Sequence, residues 1–312
     1  MIPVGIETSS PPARAVVDAT VLPVFFSPRA GTGVEAAAIA YAGEQRGLRL
    51  APIPLPCSQE AIAGWRARNP PLWVAAGGDG TVARVATLAL AADAELGVLP
   101  LGTRNHFARD VGLPLELGPA VTVLARGRTR RVDVGQAGER VFLNNASLGL
   151  YTRFVLRREL EERRPGPKLW PALARAAWHA LRTSRDLEVT LHDDGEGERI
   201  RTPVLLVGNN RYTLEGLARG SRRRLDAGVL SVHVLRPRPR AALAWFGVRA
   251  LFGAASVPRD IDTWTTDALT VTASHPRLDV ALDGEALRLE LPLAFRIRPG
   301  LLRVRVPDPA VT

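Results

Sequence analysis

The sequence has little cysteine and little lysine: Cys57 and Lys168 are the only examples among 312 residues. A lone cysteine excludes an intramolecular disulfide and argues against a cysteine-based zinc site, which fits a reducing compartment. The bases are therefore almost all arginine, and the formal net charge is +10. Codon bias toward arginine explains this composition, but so does attraction to anions such as nucleotides, phospholipid surfaces or nucleic acid.

Long apolar runs are also missing. The nearest candidate for a membrane span, residues 241–257, is interrupted by Arg249 and is shorter than the ~20 residues that a spanning helix needs. Residues 1–20 contain charges and prolines instead of the apolar centre of a signal peptide, and we expect them to be a loose leader. These features predict a cytoplasmic protein that at most rests, as a peripheral protein, on the inner face of a membrane.

The first part of the chain, residues 21–130, alternates strand and helix patterns. Apolar runs at 21–26, 72–76 and 96–101 are separated by helical segments. Strands that are apolar throughout and are separated by helices predict a parallel sheet covered on both faces. In such sheets ligands bind beyond the carboxyl ends of the strands, and a glycine-containing turn follows each of these three runs.

From residue 131 onward the pattern changes to a succession of short strands, many with alternating apolar and polar residues. Residues 131–312 are therefore predicted to form a mainly antiparallel β-sandwich. The sequence also allows its last strands to return toward the first domain. Helical segments at about 151–183 and 240–253 interrupt it. The acidic segment 192–198 fits a hairpin turn better than a metal loop. The predicted fold class is α/β, with two domains.

Two common phosphate-binding signatures are absent. A P-loop closes its glycine run with lysine, but the only lysine lies in PGPKLW (165–170), and no GxGxxG follows the first strand. The segment GGDGT (77–81) instead stands between a predicted strand and a predicted helix. Its glycines allow backbone amides to approach an anion, and the helix N-terminus adds a favourable dipole.

The aspartate in this turn needs an explanation, because a bare carboxylate repels phosphate. Asp79 can hold a cation such as the Mg²⁺ that accompanies nucleotide phosphates, be fixed by hydrogen bonds, or accept from a hydroxyl group. An ordinary turn capped by Thr81 would explain the glycines, but not three of them around a charge. A second turn, GTRN (102–105), follows the neighbouring strand and would form the other wall of a nucleotide cleft, although Thr103 and Asn105 also suit plain helix caps.

Together these turns resemble the diacylglycerol kinase catalytic-domain family, bacterial lipid kinases that are also similar to sphingosine and ceramide kinases. That family carries GGDGT, here 77–81, and then PxGTxNxFA, here 100–108. Three more segments resemble its other motifs: SPRAG (27–31) its NPxxG turn, FLNNASLGLY (142–151) its buried asparagine strand, and LDGEAL (282–287) its DGE motif. These motifs occur in the family's order, over roughly residues 21–306, and together they make the resemblance specific.

The resemblance implies an α/β nucleotide-binding domain like that of NAD kinases, a β-sandwich domain, and an active site between them. It implies ATP and Mg²⁺ as cofactors, and a kinase that phosphorylates the hydroxyl of diacylglycerol or a similar lipid alcohol. Asp283 would be the catalytic base, with Glu285 as its orienting or metal-binding partner. The nucleotide would be held by Asp79 and by Ser27, Gly31, Gly77, Gly78, Gly80, Thr81, Gly102, Thr103 and Asn105.

The sequence departs from the family pattern at several places. Ser27 stands where the family often has asparagine, and His106 where it often has aspartate. Ala227 replaces the aspartate of a DG pair that is tied to a structural magnesium site in the family. Either Asp226 substitutes as a metal ligand or that site is lost.

The acceptor is the least defined part. Segment 168–181 predicts a helix with a Trp/Leu side edged by arginine, which fits a core helix or one that rests on an anionic membrane. The basic segment 218–224 fits a solvated loop or a contact to lipid headgroups. A kinase with a soluble acceptor and a catalytically weakened lipid- or nucleotide-binding regulator stay open as alternatives. We expect no nucleic-acid partner, and a homodimer is compatible with the sequence.

Overall fold

The computed structural model describes residues 21–28, 35–162, 186–193, 195–211, 222, 224–237 and 261–309. Several expectations lie outside this part of the chain. They are the loose leader 1–20, the phosphate contact at Gly31, the helix at 168–181, the helix at 240–253, and most of the basic segment 218–224.

The N-terminal half alternates strands and helices, as the sequence predicts. Its elements are β1 (Val21–Phe26), α1 (Ala36–Glu44), β2 (Arg49–Pro54), α2 (Gln59–Arg68), β3 (Leu72–Gly77), α3 (Asp79–Ala91), β4 (Glu95–Pro100), α4 (His106–Asp110) and α5 (Leu117–Arg126). The strands pair in parallel in the order β2-β1-β3-β4.

Both faces of this parallel sheet are buried, which explains why its strands are apolar throughout. Trp73 and Ala75 of β3 pack in one core with α3, whereas Val74 and Ala76 pack in another core with α1 and α5. Successive side chains of a strand point to opposite faces, so β3 needs apolar residues at every position. The prediction of a parallel sheet with helices on both sides is confirmed.

The rest of the described chain is mainly antiparallel. Its elements are β5 (Arg128–Ala137), β6 (Arg140–Phe142), β7 (Asn145–Gly149), α6 (Leu150–Glu162), β8 (Leu187–Asp193), β9 (Glu196–Thr202), β10 (Val204–Asn209), β11 (Leu230–Leu235), β12 (Ile261–Thr266), β13 (Ala268–Thr272), β14 (Arg277–Leu282), β15 (Glu285–Glu290) and β16 (Leu293–Val306). One sheet has the order β12-β11-β10-β7-β14-β15. It packs against β8, β13 and β16 across a shared apolar core, which is the predicted sandwich. The acidic segment forms the hairpin between β8 and β9.

Strand β16 belongs to both halves of the protein. Near its start Phe295 pairs with Leu269 of the antiparallel β13, and near its end Val304 pairs with Leu96 of the parallel-sheet strand β4. Strand β5 runs antiparallel along most of its length. One ten-stranded sheet therefore continues from the first half into the second. The domain limits at residues 130 and 131 fall inside β5 and stay predictions.

Candidate active site

The two glycine turns touch each other at the carboxyl ends of β3 and β4. A Cβ atom on Gly102 would lie only 2.2 Å from the Cα atom of Gly78, and one on Gly77 would lie 2.5 Å from Thr81 Oγ1. Real Cβ atoms do not come this close to other heavy atoms. Gly77 and Gly102 are therefore needed for the packing of the protein's own atoms, before any ligand is considered.

Gly80 has the opposite surroundings. It is exposed in the first turn of α3, and a Cβ atom there would meet no heavy atom within 4 Å. The N–H groups in the first turn of a helix have no acceptor within the helix, and they carry partial positive charge. The open space beside Gly80 is therefore the place where an anion can reach these groups.

Asp79 fixes the second turn to the first. Its Oδ1 accepts a hydrogen bond from the N–H of Phe107 at 3.0 Å, and its Oδ2 accepts one from the N–H of His106 at 3.2 Å. The carboxylate thus caps the start of α4, 27 and 28 residues away in sequence. A carboxylate has about four lone-pair sites, so both oxygens keep capacity to accept a further bond.

Asn105 shapes the second turn from inside. It is buried in the left-handed conformation, with φ 51°. Its Nδ2 donates to the carbonyl oxygens of Pro100 at 3.2 Å and Gly102 at 2.7 Å, and its Oδ1 accepts from the N–H of Gly102 at 3.0 Å. Both amide hydrogens are used within the turn, so a direct contact of Asn105 to the nucleotide stays a prediction.

Two other predicted contacts lie at the same end of the sheet. Thr103 is exposed on the second turn, and Ser27 is half-buried immediately after β1. The carboxyl ends of parallel strands meet at one edge, so these side chains share the edge that carries Gly80. Their contacts to a nucleotide also stay predictions.

Asp283 occupies the tight turn between β14 and β15. Leu282 pairs with Glu285, and the two turn residues Asp283 and Gly284 have φ 48° and 85°. Positive φ at both positions is the geometry that an Asp-Gly pair favours in a two-residue hairpin. The DGE segment is therefore a two-residue hairpin turn in its local structure, and the function of Asp283 must be judged from its side chain.

The carboxylate of Asp283 is held by three consecutive backbone amides. Oδ2 accepts from the N–H of Leu143 at 2.7 Å, and Oδ1 accepts from those of Asn144 at 2.7 Å and Asn145 at 3.1 Å. We call residues 143–145 the base loop. It leads into β7, whose first residue is Asn145 and which belongs to the segment that resembles the family's buried asparagine strand. Its amides fix the direction of the carboxylate.

Burial raises the pKa of the Asp283 carboxyl from its ordinary value of 3.8 to about 6. The three amide hydrogen bonds and the charge of Arg222 act in the opposite direction, but desolvation of the carboxylate outweighs them. A carboxyl that titrates near neutral pH is able both to accept a proton and to release it again. This is the property that general-base catalysis requires.

Glu285 and Asp226, the other two acidic residues predicted for the site, are exposed. Glu285 is the first residue of β15, directly after the turn, and its partnership with Asp283 stays a prediction. The carboxylate of Asp226 forms ion pairs with Arg130 at 3.7 Å and Arg224 at 3.1 Å, so its charge is already balanced. No group of three metal-binding side chains occurs in the described residues, and the metal role of Asp226 stays a prediction.

Two buried charged residues were missed in the sequence. Asp133 accepts hydrogen bonds from the N–H groups of Gly300 at 2.8 Å and Gly228 at 2.7 Å, and so fixes two left-handed turns. The available signal was an aspartate between the two valines of the predicted strand RRVDVG (130–135). Arg222 forms a buried ion pair with Asp110, although its place in a run of arginines suggested an exposed side chain.

Comparisons with known proteins agree with this architecture. Residues 23–137 match the diacylglycerol kinase catalytic domain, and residues 166–306 match the YegS C-terminal NAD kinase beta sandwich-like domain. A probable lipid kinase YegS-like protein of Pseudomonas aeruginosa is 34% identical over 253 residues, 75% of this chain and 76% of that protein. The chain belongs to the YegS-like lipid kinase family. A relative with the same description from Pseudomonas fluorescens is 31% identical over 265 residues, 80% of this chain and 81% of that one.

The fold of this YegS-like kinase also matches a solved structure. A crystal structure of a diacylglycerol kinase from Bacillus anthracis superposes with a TM-score of 0.63 and 18% identity, covering 93% of this chain and 98% of that one. At this identity the likeness concerns the fold alone. Membership of the lipid kinase family makes the protein a phosphotransferase, and a kinase uses a nucleotide. No helix in the described part of the chain is long and apolar enough to cross a membrane.

Proposed function

We propose that this YegS-like kinase transfers the γ-phosphate of ATP, with Mg²⁺, to the hydroxyl of diacylglycerol or a similar lipid alcohol. The observation that carries the proposal is the Asp283 carboxylate, which three amides hold in place and whose pKa is about 6. A protein that only binds lipid or nucleotide has no use for a fixed carboxylate that titrates near neutral pH.

The nucleotide phosphates would lie against the first turn of α3. Support for this comes from the open space at Gly80, where backbone N–H groups and the helix dipole favour anions. Thr81 and Thr103 would add hydroxyl contacts from the two turns. The close contact between Gly78 and Gly102 holds the two turns together, so less ordering would be needed when the phosphates bind.

The residues present fit a magnesium ion shared with the phosphates. Mg²⁺ is usually held by one or two carboxylates together with phosphate oxygens, and Asp79 keeps lone pairs beyond its two amide bonds. When bound, the ion would neutralise charge on the transferred group. Asp79 caps α4 and would, in a second and compatible role, supply a carboxylate oxygen to the ion.

Asp283 would act on the acceptor. Transfer to an alcohol requires the hydroxyl oxygen to approach the γ-phosphorus in line with the leaving oxygen, and to lose its proton. The base loop directs the Asp283 carboxylate, which would take that proton during the attack. Desolvation raises the pKa of the carboxylate and so would make it a stronger proton acceptor.

The arginine excess suggests where the lipid is met. A formal charge of +10 would attract the protein to an anionic membrane surface, on which each basic residue near the surface adds about 1 kcal/mol. We include transient, peripheral contact with the inner membrane surface in the proposal. It concerns access to the lipid, and the chemistry at Asp283 does not depend on it.

The test is a transfer assay with purified protein, ATP labelled at the γ-phosphate, Mg²⁺, and diacylglycerol in anionic mixed micelles. We expect a labelled phospholipid that requires the wild-type Asp283. A parallel assay replaces diacylglycerol with a cell extract as the source of acceptors. A labelled water-soluble product in that assay, with no labelled lipid in either, would support the soluble acceptor instead. No transfer with any acceptor or divalent metal would refute a kinase and favour the regulator.

A further inference from the structure

Arg222 is a fully buried arginine that makes hydrogen bonds in three directions. Its Nε and Nη2 donate to Asp110 Oδ2 at 2.9 and 2.8 Å. Nη2 also donates to Asn144 Oδ1 at 2.9 Å, and Nη1 donates to the carbonyl oxygens of Leu143 and, at 3.2 Å, Asn209. A guanidinium has five N–H groups, and these contacts supply an acceptor for each of them.

The partners of Arg222 belong to the two sides of the proposed reaction. Asp110 is the last residue of α4, the helix that Asp79 caps at its other end. Leu143 and Asn144 are in the base loop, and their N–H groups bind the carboxylate of Asp283. Leu143 and Asn144 are therefore bound on two sides. Arg222 donates to the carbonyl oxygen of Leu143 and the side chain of Asn144, while Asp283 accepts from the backbone N–H groups of both residues.

Stability alone is a weak reason for this arrangement. Burying an arginine and a carboxylate costs desolvation that their attraction does not reliably recover, and apolar residues of similar size often stabilise a protein equally well. A guanidinium, however, is planar and rigid, and five satisfied N–H groups allow only one placement of its partners. What the cluster supplies is a fixed geometry between α4 and the base loop.

We propose that Arg222 is a positioning residue for phosphoryl transfer: it fixes the base loop relative to α4 and thereby holds the Asp283 carboxylate toward the nucleotide. The inference rests on the proposed function, since it assigns Asp283 the role of base. The five N–H groups of the Arg222 side chain all have protein acceptors, so the residue would act through Leu143 and Asn144.

The first test is Arg222→Lys, which keeps the charge next to Asp110 but loses the fork to the base loop. We expect kcat to fall roughly 10- to 100-fold, because a displaced base costs about that much, while KM for ATP changes by less than about twofold. The control is Arg199→Gln, which removes an arginine whose side chain is 81% exposed and pairs with Glu188 at 3.5 Å. It should leave both constants unchanged.

The second test asks whether the effect passes through Asp283. In an Asp283→Asn background, Arg222→Lys should lower the remaining kcat by less than about twofold, because the group that it positions is already inactive. An equal loss of kcat in both backgrounds would overturn the inference. If Arg222→Lys gives no matched thermal melt, the doubly neutral variant Arg222→Gln/Asp110→Asn replaces it, since that variant leaves no buried charge unpaired.

A third readout does not need activity. Hydrogen–deuterium exchange of the base-loop amides should become about tenfold faster or more in Arg222→Lys, with other amides of β7 unchanged. If exchange and kcat both stay at wild-type values, Arg222 does not position the loop, and the proposed function is untouched. If wild-type protein transfers no phosphate, the proposed function fails, and exchange alone then decides whether Arg222 fixes the loop.

Discussion

The carboxylate of Asp79 accepts a hydrogen bond from the N–H of Phe107 at 3.0 Å, across 28 residues of sequence. This contact explains how a glycine turn that is proposed to face phosphates tolerates a negative charge. The amides of α4 offset part of the charge, and the same bond joins the two turns of the proposed nucleotide wall. Hydrogen bonding and metal binding were alternatives in the sequence, but on this geometry they are compatible.

Gly80→Val should abolish ATP binding without unfolding the protein. A Cβ atom at Gly80 meets no protein atom within 4 Å, so the variant should keep its melting temperature, but the branched side chain would fill the space needed by phosphate. Gly64→Val is the matched control, because Gly64 is also an exposed helical glycine with nothing within 4 Å. Calorimetry that shows normal ATP affinity for a folded Gly80→Val would contradict the proposed phosphate site.

Gly102→Ala should act on stability first. The added Cβ would lie 2.2 Å from the Cα of Gly78, and backbone atoms cannot move aside as a flexible side chain does. We expect the free energy of unfolding to fall by about 1–3 kcal/mol, the usual cost of overpacking. Urea denaturation measures this, and an unchanged midpoint would show that the two turns are not in contact in solution.

Asp283→Asn should lower kcat by roughly 10²–10⁴-fold, because the amide cannot accept the hydroxyl proton. Affinity for Mg-ATP should change little, since the proposed nucleotide site is formed by the turns of the first half. Initial rates and ATP affinity are measured on variants with matched melts. Wild-type turnover would remove Asp283 as the base, and lost ATP binding would move it to the nucleotide site.

Asp79→Asn should differ from Asp283→Asn in its metal dependence. The amide oxygen still accepts one N–H from α4, but the charge beside the phosphates is gone. We expect the Mg²⁺ concentration for half-maximal activity to rise as kcat falls. A magnesium titration identical to wild type would limit Asp79 to its role as a helix cap.

Activity should decline in acid with a pKa of about 6. Burial raises the pKa of Asp283 to about 6, and the base works only when deprotonated, so kcat/KM should fall as pH drops through 6. The same pKa shift changes the stability of the fold in the opposite direction. Between pH 3.8 and about 6 the native state binds the Asp283 proton more tightly than the unfolded state does. The contribution of Asp283 to the free energy of unfolding is therefore lost as pH rises through that window. His233, whose pKa burial lowers to about 4, stays neutral above pH 5. A flat kcat/KM profile from pH 5 to 8 would contradict the assignment.

The parallel sheet could be predicted from the sequence because its strands are buried on both faces and therefore apolar at every position. The Asp283 turn was equally visible, since an Asp-Gly pair has a strong local preference for a two-residue hairpin. Local signals of this kind survive without knowledge of tertiary structure.

The burial of Arg222 was not visible in the sequence, because it depends on partners that lie far away along the chain. Asp110 is 112 residues from Arg222, and Leu143 is 79. A run of arginines is usually solvated, so its composition pointed to the surface or to lipid headgroups. Asn105 shows the same limit: its place in the motif was recognised, but only the structure shows both amide hydrogens used within the turn.

The position of β16 has a consequence for how the protein is made. This strand, Leu293–Val306, lies between β4 and β13 in the ten-stranded sheet, yet it follows every other described strand in sequence and is synthesised after them. Until β16 has been synthesised, the edge of β4 in the parallel sheet has no partner strand, and an unpaired edge can pair with other chains. The sheet of the first half can be completed only after translation has passed residue 306, and a premature stop before Leu293 would leave both halves without their common strand.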